Sequence, residues 1–496
     1  MVEHELEFMT DRAQMPLDLG TKLAYGLGEW GGEVPGSLQV FYVLFFLTTV
    51  AGLSPGTASS VLAIGKLWDA FNDPIVGWLS DRTCSVRWGR RYPWMLWGAV
   101  PLGLSFALQW WVPPGLGSRG LQIYYAAVII VYYVAFTMVR VPYATLVAEL
   151  TEGYDERTSL VSFKASFAIG GSILTLLIAR VVLGTTASPG QQFPLLGAIC
   201  GTISIATVYI SIWGTYRRYW SVQTHRRSNA TSASSSRSTT SLWLQLRLSL
   251  WGQFRTALSC SPFRFTLGIY LCSWVGLQLP AAVLPYFTVS WMGLDESRSA
   301  TMLLAVQGTA MVAMAFWSWL GRKRLGKRAI YCWGMPLPIV ALAGLFFLAP
   351  GQEGLMYALG AVAGVGLATA YLVPWSMLPD VIDADELQTG ERREGVFYSL
   401  VVQLQKFGSV LAIFGVGMVL DWSGFITATA GEAIAQPPLA LLAVRALVGL
   451  VPAVILLGGL AIAAFYPITR EVHAEILTRL VVQRQQEQTT PIRQIN

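Results

Sequence analysis

Gly65-Lys66-Leu67-Trp68-Asp69-Ala70-Phe71-Asn72-Asp73-Pro74 decides how the rest of the chain is read. Two carboxylates and an amine stand inside an apolar run that begins near Gly56, close to the middle of a span of about 20 residues, the length that crosses a bilayer. A charge at that depth costs about 2.5 to 3.5 kcal/mol on insertion scales, so it is retained for a reason. Helical spacing puts Lys66, Asp69 and Asp73 at i, i+3 and i+7 on one face, with Asn72 beside them. Pro74 has no backbone N–H, so the Ala70 carbonyl loses its helical donor and becomes one more oxygen able to face a ligand. Hard oxygen donors of this kind suit Na⁺, Li⁺ or a proton. A buried Lys/Asp pair that only locks two helices together is the competing account.

Outward from this stretch the chain is uniformly apolar. Its 496 residues are 54% hydrophobic and 12% charged, whereas a soluble domain carries about 25% charged residues. Apolar spans run at 24–47, 56–80, 91–112, 121–147, 161–184 and 194–213, then at 264–290, 298–320, 328–349, 354–378, 395–420 and 442–466. The sequence therefore predicts an all-α membrane protein of roughly twelve transmembrane helices. The net charge of +6 does not mark a nucleic-acid surface. Basic residues gather in alternate loops: Arg82, Arg87, Arg90 and Arg91 after the second span, Arg217 through Arg227 after the sixth, Arg322 through Arg328 after the eighth, and Arg470 through Arg493 at the end. By the positive-inside rule both termini are expected in the cytoplasm of a cell-membrane protein. No cleavable signal peptide is expected, since Glu3, Glu5 and Glu7 occupy the start.

A Ser/Thr/Arg-rich segment at 215–261 divides the chain, with an amphipathic stretch from Leu242 to Phe254 expected on the inner membrane surface. The expected organisation is a six-helix half at 1–214, a cytoplasmic linker at 215–261, a second half at 262–468 and a cytoplasmic tail at 469–496. The halves echo each other. Val141-Pro142-Tyr143-Ala144-Thr145-Leu146 in the fourth span returns as Val373-Pro374-Trp375-Ser376-Met377-Leu378 in the tenth, which makes them pseudo-symmetric repeats of the same orientation. The five cysteines lack metal-ligand spacing, and the three histidines lie in polar tails or loops. Neither a metal site nor an intramembrane histidine relay is expected.

Other polar residues are placed deep in the spans. The first span carries Glu29 and Glu33 among Gly26, Gly28, Gly31, Gly32 and Gly36; the glycines read as close packing, the glutamates do not. Thr137 and Arg140 precede Pro142, and Arg140 needs an anionic partner, for which Asp69, Asp73 and Glu33 are the candidates. Gln403, Gln405, Lys406 and Ser409 lie in the eleventh span, with Lys406 too deep to snorkel out. Asp380, Asp383, Asp385, Glu386, Arg392, Arg393 and Glu394 close the tenth span, matching Glu149, Glu152, Asp155, Glu156 and Arg157 after the fourth. With Asp81, Arg82, Arg90 and Arg91, these are expected to form gating salt bridges between the halves. Trp110, Trp111, Tyr124, Tyr125, Tyr132 and Tyr133 read mostly as an interfacial aromatic belt.

Several segments resemble the glycoside-pentoside-hexuronide:cation symporter family of the major facilitator superfamily, which includes melibiose permease: Lys22 to Gly28, Trp68-Asp69-Ala70-Phe71-Asn72-Asp73-Pro74, Asp155-Glu156-Arg157, Pro379-Asp380-Val381-Ile382-Asp383 and Tyr466-Pro467-Ile468-Thr469-Arg470. The resemblance implies the major facilitator fold and a cation site at Asp69, Asn72, Asp73 and Thr137. It implies a solute site that includes Glu33 and the helix 11 lysine, Lys406, to which the residues add Gln403, Arg140 and Tyr143. Arg140 replaces an aspartate of that family's fourth helix, and Ala144 replaces a tryptophan that stacks on the sugar. A related branch, the sodium-dependent lysophospholipid symporters, shares both the missing aspartate and the stretch from Pro374 to Asp380.

The expectation is a monomeric symporter of Na⁺ or H⁺ with a sugar or glycoside, working by alternating access within a lipid bilayer and without a cofactor. A lysophospholipid or other amphiphile is the alternative solute. A non-transporting sensor or scaffold is the alternative class, favoured if Arg140 bridges permanently to Asp69 or Asp73. Nothing in the sequence suits an enzyme: no nucleophile and base pair, phosphate loop or extramembrane domain stands out.

Overall fold

The computed structural model of the protein describes residues 17–83, 85–151, 153–185, 188–229, 258–323, 326–391, 393–427 and 434–489. The amphipathic stretch at 242–254 and Arg392 lie outside these residues. Among the described residues every regular element is a helix. The first span, expected as one helix, is three: α1 (Leu19–Gly28), α2 (Trp30–Phe41) and α3 (Val43–Thr49). Glycines on both sides of Glu29 weaken the helix at the first break. Within the unbroken α2, Pro35 withholds the N–H that the Gly31 carbonyl would accept. The Ser204 hydroxyl donates to that carbonyl instead.

The rest of the first half comprises α4 (Pro55–Arg82), α5 (Tyr92–Leu108), α6 (Ser118–Leu150), α7 (Tyr154–Leu183) and α8 (Pro189–Asn229). α4 starts where it does because the Ser54 side chain accepts from the Thr57 N–H and Pro55 takes the first turn. α8 continues to Asn229, through the beginning of the segment expected as a linker. In the second half, α9 (Ser261–Tyr286) runs into a π-helical turn, Phe287–Trp291, and is followed by α10 (Glu296–Lys323), α11 (Lys327–Gly334), α12 (Pro336–Phe347), α13 (Glu353–Thr389) and α14 (Glu394–Trp422). The last span is α15 (Pro438–Arg445), a π turn at Ala446–Leu450 and α16 (Val451–Ala464), and α17 (Arg470–Thr489) closes the described chain.

Nine helices among the described residues are long and apolar enough to cross a membrane. The three remaining expected spans fall short for stated reasons: the first is divided, α4 carries Lys66, Asp69 and Asp73, and α5 is 17 residues long. The chain is an integral membrane protein.

Two compact units are present. The first comprises 1–237, 281–304 and 413–444, and the second 238–280, 305–412 and 445–496. In the first unit α5 and α8 cross at two glycines: a Cβ on either Gly103 or Gly201 would stand 2.6 Å from the other's carbonyl oxygen, so only glycine permits this approach. Several aromatics expected at the interface are core instead. Trp110 and Tyr125 are fully buried, and Trp110 stacks on Phe193 with ring centroids 5.8 Å apart and packs on Phe46 at 5.3 Å. These rings fill the space between helices; Trp111, 45% exposed, keeps the belt character.

The first unit is also sealed at the end opposite the basic loops. The Thr48 and Tyr286 hydroxyls lie 2.7 Å apart, Tyr42 and Ser299 meet at 3.0 Å, and Tyr286 sits edge-on to Phe45 and Phe425. Gly417 lies against α4 so closely that a Cβ there would be 2.5 Å from the Pro55 carbonyl oxygen. In the second unit the same device recurs, with Gly366 against Pro338 and Gly449 against the Leu342 carbonyl.

Candidate functional site

α4 brings Lys66, Asp69, Asn72 and Asp73 to one face, and α6 sets Thr137 against them. The Thr137 hydroxyl oxygen is 3.1 Å from Asp69 Oδ1 and 3.0 Å from Asp73 Oδ1. A hydroxyl has one proton, so it donates to one carboxylate at a time and turns an oxygen lone pair toward the other. One hydroxyl thus lies between two carboxylate oxygens, a cluster of hard oxygens of the kind that suits a small cation or an added proton. Asp69, Asn72 and Thr137 are buried and Asp73 is half-buried. The buried Asn72 Nδ2 has no hydrogen-bond partner, so this amide retains binding capacity.

Arg140 lies one turn of α6 beyond Thr137, on the exposed side, its guanidinium carbon 5.3 Å from the Phe136 ring centroid. It is within electrostatic reach of Glu29, Glu33, Asp69 and Asp73. All three expected partners are therefore near it, joined by Glu29. Glu33 is half-buried and accepts from the Ser37 hydroxyl at 3.1 Å. Glu29 occupies the break between α1 and α2, where Lys164 of α7 approaches to 3.6 Å.

Lys164 carries no signal of its own in the sequence, because it sits near the start of its span, where a lysine reads as interfacial. Its ammonium also lies 5.4 Å from the Tyr143 ring centroid. Tyr143 is 2% exposed, stacks on Tyr25 at 4.8 Å and donates its hydroxyl to the Tyr25 carbonyl at 2.7 Å. Its hydroxyl is thus committed within the fold, and its ring is the part that meets Lys164.

In the second unit, Gln403 and Lys406 are half-buried on α14. On the same helix the Ser409 hydroxyl accepts from Trp274 Nε1 at 2.7 Å and from Gln278 Nε2 at 3.5 Å. Below them runs an aromatic row across α9, α13 and α14: Tyr270 packs parallel to Trp274 at 6.3 Å and edge-on to Trp375 at 5.5 Å, and Trp375 packs parallel to Tyr398 at 6.2 Å. The signal for this row is present in the sequence. Tyr270, Trp274 and Gln278 are spaced i, i+4, i+8, and Tyr398, Val402 and Lys406 share one face of α14.

The helix-end charges pair inside their own units. Glu149 receives Arg90 at 2.8 Å and Arg91 at 3.3 Å, and Arg91 also reaches Asp81 at 2.5 Å. Arg82 lies over the Trp78 ring at 3.9 Å, and Arg157 donates to the Thr151 carbonyl at 3.2 Å. In the second unit Lys327 holds Asp380 at 2.7 Å, His473 meets Asp383 at 3.1 Å and Arg393 holds Asp385 at 2.8 Å. The Glu149 and Asp380 pairs are equivalent: a carboxylate near the end of the fourth or tenth span takes a basic residue from the start of the third or ninth.

Residues 24–470 match the family described as MFS/sugar transport protein. An uncharacterized symporter of Synechocystis sp. is 42% identical, over 95% of this chain and 98% of its own. The sodium-dependent lysophosphatidylcholine symporter 1 of Gallus gallus is 26% identical, over 92% of this chain and 88% of its own. Among solved structures, the inward-open xylose transporter XylE from E. coli superposes with a TM-score of 0.57 at 16% identity, covering 93% of this chain and 99% of that one. The chain belongs to the major facilitator superfamily, within this MFS/sugar transport family. It is a symporter-type transporter and not an enzyme.

Proposed function

We propose that the protein couples the entry of Na⁺ or H⁺ to uptake of an organic solute, within the glycoside-pentoside-hexuronide:cation branch, with both termini in the cytoplasm. The observation that carries this reading is the single Thr137 hydroxyl shared between Asp69 and Asp73. A cation there neutralises the pair, and the two halves then expose a central site to each side in turn. Solute and cation each favour the states in which the other binds, and that is the coupling. Asn72 completes the cation site. Glu33, Arg140, Tyr143 and Lys164 of the first unit, and Gln403 and Lys406 of the second, are the residues this reading assigns to the solute.

A sugar or glycoside is the first solute class, supported by the family match and by half-exposed aromatic faces suited to stacking on a sugar ring. A second reading, a lysophospholipid, is favoured by Arg140, a fixed guanidinium suited to a phosphate. The relatives that carry such lipids extend over most of the chain, and the aromatic row on α9, α13 and α14 suits an acyl chain. Counterflow in proteoliposomes separates them, with labelled glycosides, uronates and lysophospholipids tested in Na⁺, in K⁺ and across pH. Glycoside exchange raised by Na⁺ or acid supports the first reading and names the ion. Exchange of lysophospholipids alone supports the second, and no exchange with any of them removes both.

A further inference from the structure

α17 packs against α13 at the basic end of the second unit, and His473 is where they meet. His473 Nε2 is 3.1 Å from Asp383 Oδ2 and 3.4 Å from Asp380 Oδ1. Both carboxylates are largely buried, and the histidine is 24% exposed. The surrounding charges come from every neighbouring element. Lys327, at the start of α11, bonds both oxygens of Asp380 at 2.7 Å and donates to the Ser376 carbonyl at 2.6 Å. Arg328 donates to the carbonyls of Ala464 and Tyr466. On α13, Asp385 is held by Arg393, and Glu386 follows it. On α17 itself Arg470, Glu471 and Glu475 flank the histidine, and Arg479 reaches Glu475 at 2.6 Å.

We propose that His473 is a pH-sensitive clasp that fastens α17 to α13. An imidazolium between two carboxylates is attracted to both, whereas a neutral imidazole keeps at most one hydrogen bond from Nε2 and none of the charge attraction. An imidazole changes charge between about pH 5 and 8. The clasp is therefore fastened when the ring carries its second proton and loosens when that proton is lost. On the cytoplasmic side proposed above, internal acidification then tightens the hold of the C-terminal helix on the end of α13, whatever solute is carried.

Amide hydrogen exchange on the full-length protein in lipid nanodiscs tests this without any transport assay, so its result is independent of the symport reading. Rates are corrected for their intrinsic pH dependence and referred to α6 as an internal standard. In the wild type, protection of segment 470–483 is expected to fall about fivefold from pH 6 to pH 8. His473→Asn is expected to show low protection at both values, and His473→Arg, permanently charged, high protection at both. Wild-type protection that stays level between pH 6 and pH 8 overturns the proposal. So does a fall of the same size in His473→Asn, which would place the pH response elsewhere. The wild-type measurement stands alone if a variant fails to fold.

Discussion

Thr137 stands at the point where one proton serves two carboxylates, and small changes there are expected to separate binding from folding. Thr137→Val keeps the volume and removes the third oxygen. The expected result is a loss of about tenfold in apparent cation affinity, read as the cation concentration that gives half-maximal uptake, with little change in thermal stability. Asp73→Asn is expected to abolish cation-driven accumulation while exchange of bound solute survives; full gradient-driven uptake by this variant would remove the cation assignment. Asp69 and Asp73 are legible in the sequence because helical spacing alone puts them on one face, and a charge at mid-membrane depth announces itself. Arg140 is legible only as a residue in need of a partner. Which carboxylates surround it depends on how α1, α2, α4 and α6 pack, and periodicity along one helix carries no information about its neighbours. Lys164 escapes for the same reason, since its meaning lies in Glu29 on another helix.

Among the elements, helix ends and helix contacts hold the remaining information. Glu149 is nearly buried and serves both Arg90 and Arg91; Glu149→Ala removes the acceptor the two share, leaves Arg91 with Asp81 and Ser80, and is expected to cost about 2 kcal/mol. A fall in melting temperature in detergent checks it. Gly417 gives a second test. Its replacement by Leu puts atoms where the Ser59 side chain and the Pro55 carbonyl stand, so the sealed end of the first unit is expected to open more often. Ser299→Cys, otherwise buried, should then react faster with a membrane-impermeant thiol reagent than it does in the Gly417 background. The positions of the spans can be read from the sequence because apolar runs track the helices. Their ends cannot, since α8 and α13 continue into polar sequence held by pairs from other helices, Arg218 with Glu156 and Lys327 with Asp380, until a residue such as Gly390, with φ of +72°, turns the chain away. The aromatic belt fails at Trp110 and Tyr125 because Trp and Tyr look alike in sequence whether they face lipid or a neighbouring helix.

For the whole molecule, the charges of the first unit set a balance. Four carboxylates, Glu29, Glu33, Asp69 and Asp73, face three cationic side chains, Lys66, Arg140 and Lys164. One monovalent cation or one proton closes the difference, so transport of a neutral solute is expected to move one positive charge per molecule. Current recorded on a solid-supported membrane, set against labelled uptake by the same proteoliposomes, checks that ratio; a silent current with robust uptake contradicts it. The fold class is open to sequence reading because composition and repeat pattern are global properties, whereas the solute depends on a few side chains brought together from distant spans. One consequence reaches back to the moment of synthesis. The three leading spans are those that fall short of an ordinary membrane-crossing helix: one in pieces, one bearing three ionisable groups and one of 17 residues. A translocon that partitions segments one by one would tend to reject α4, so the nascent chain has to wait for α6, whose Thr137 receives Asp69 and Asp73, before its beginning can settle in lipid. The residues proposed to bind the cation therefore make the protein's own birth a cooperative event.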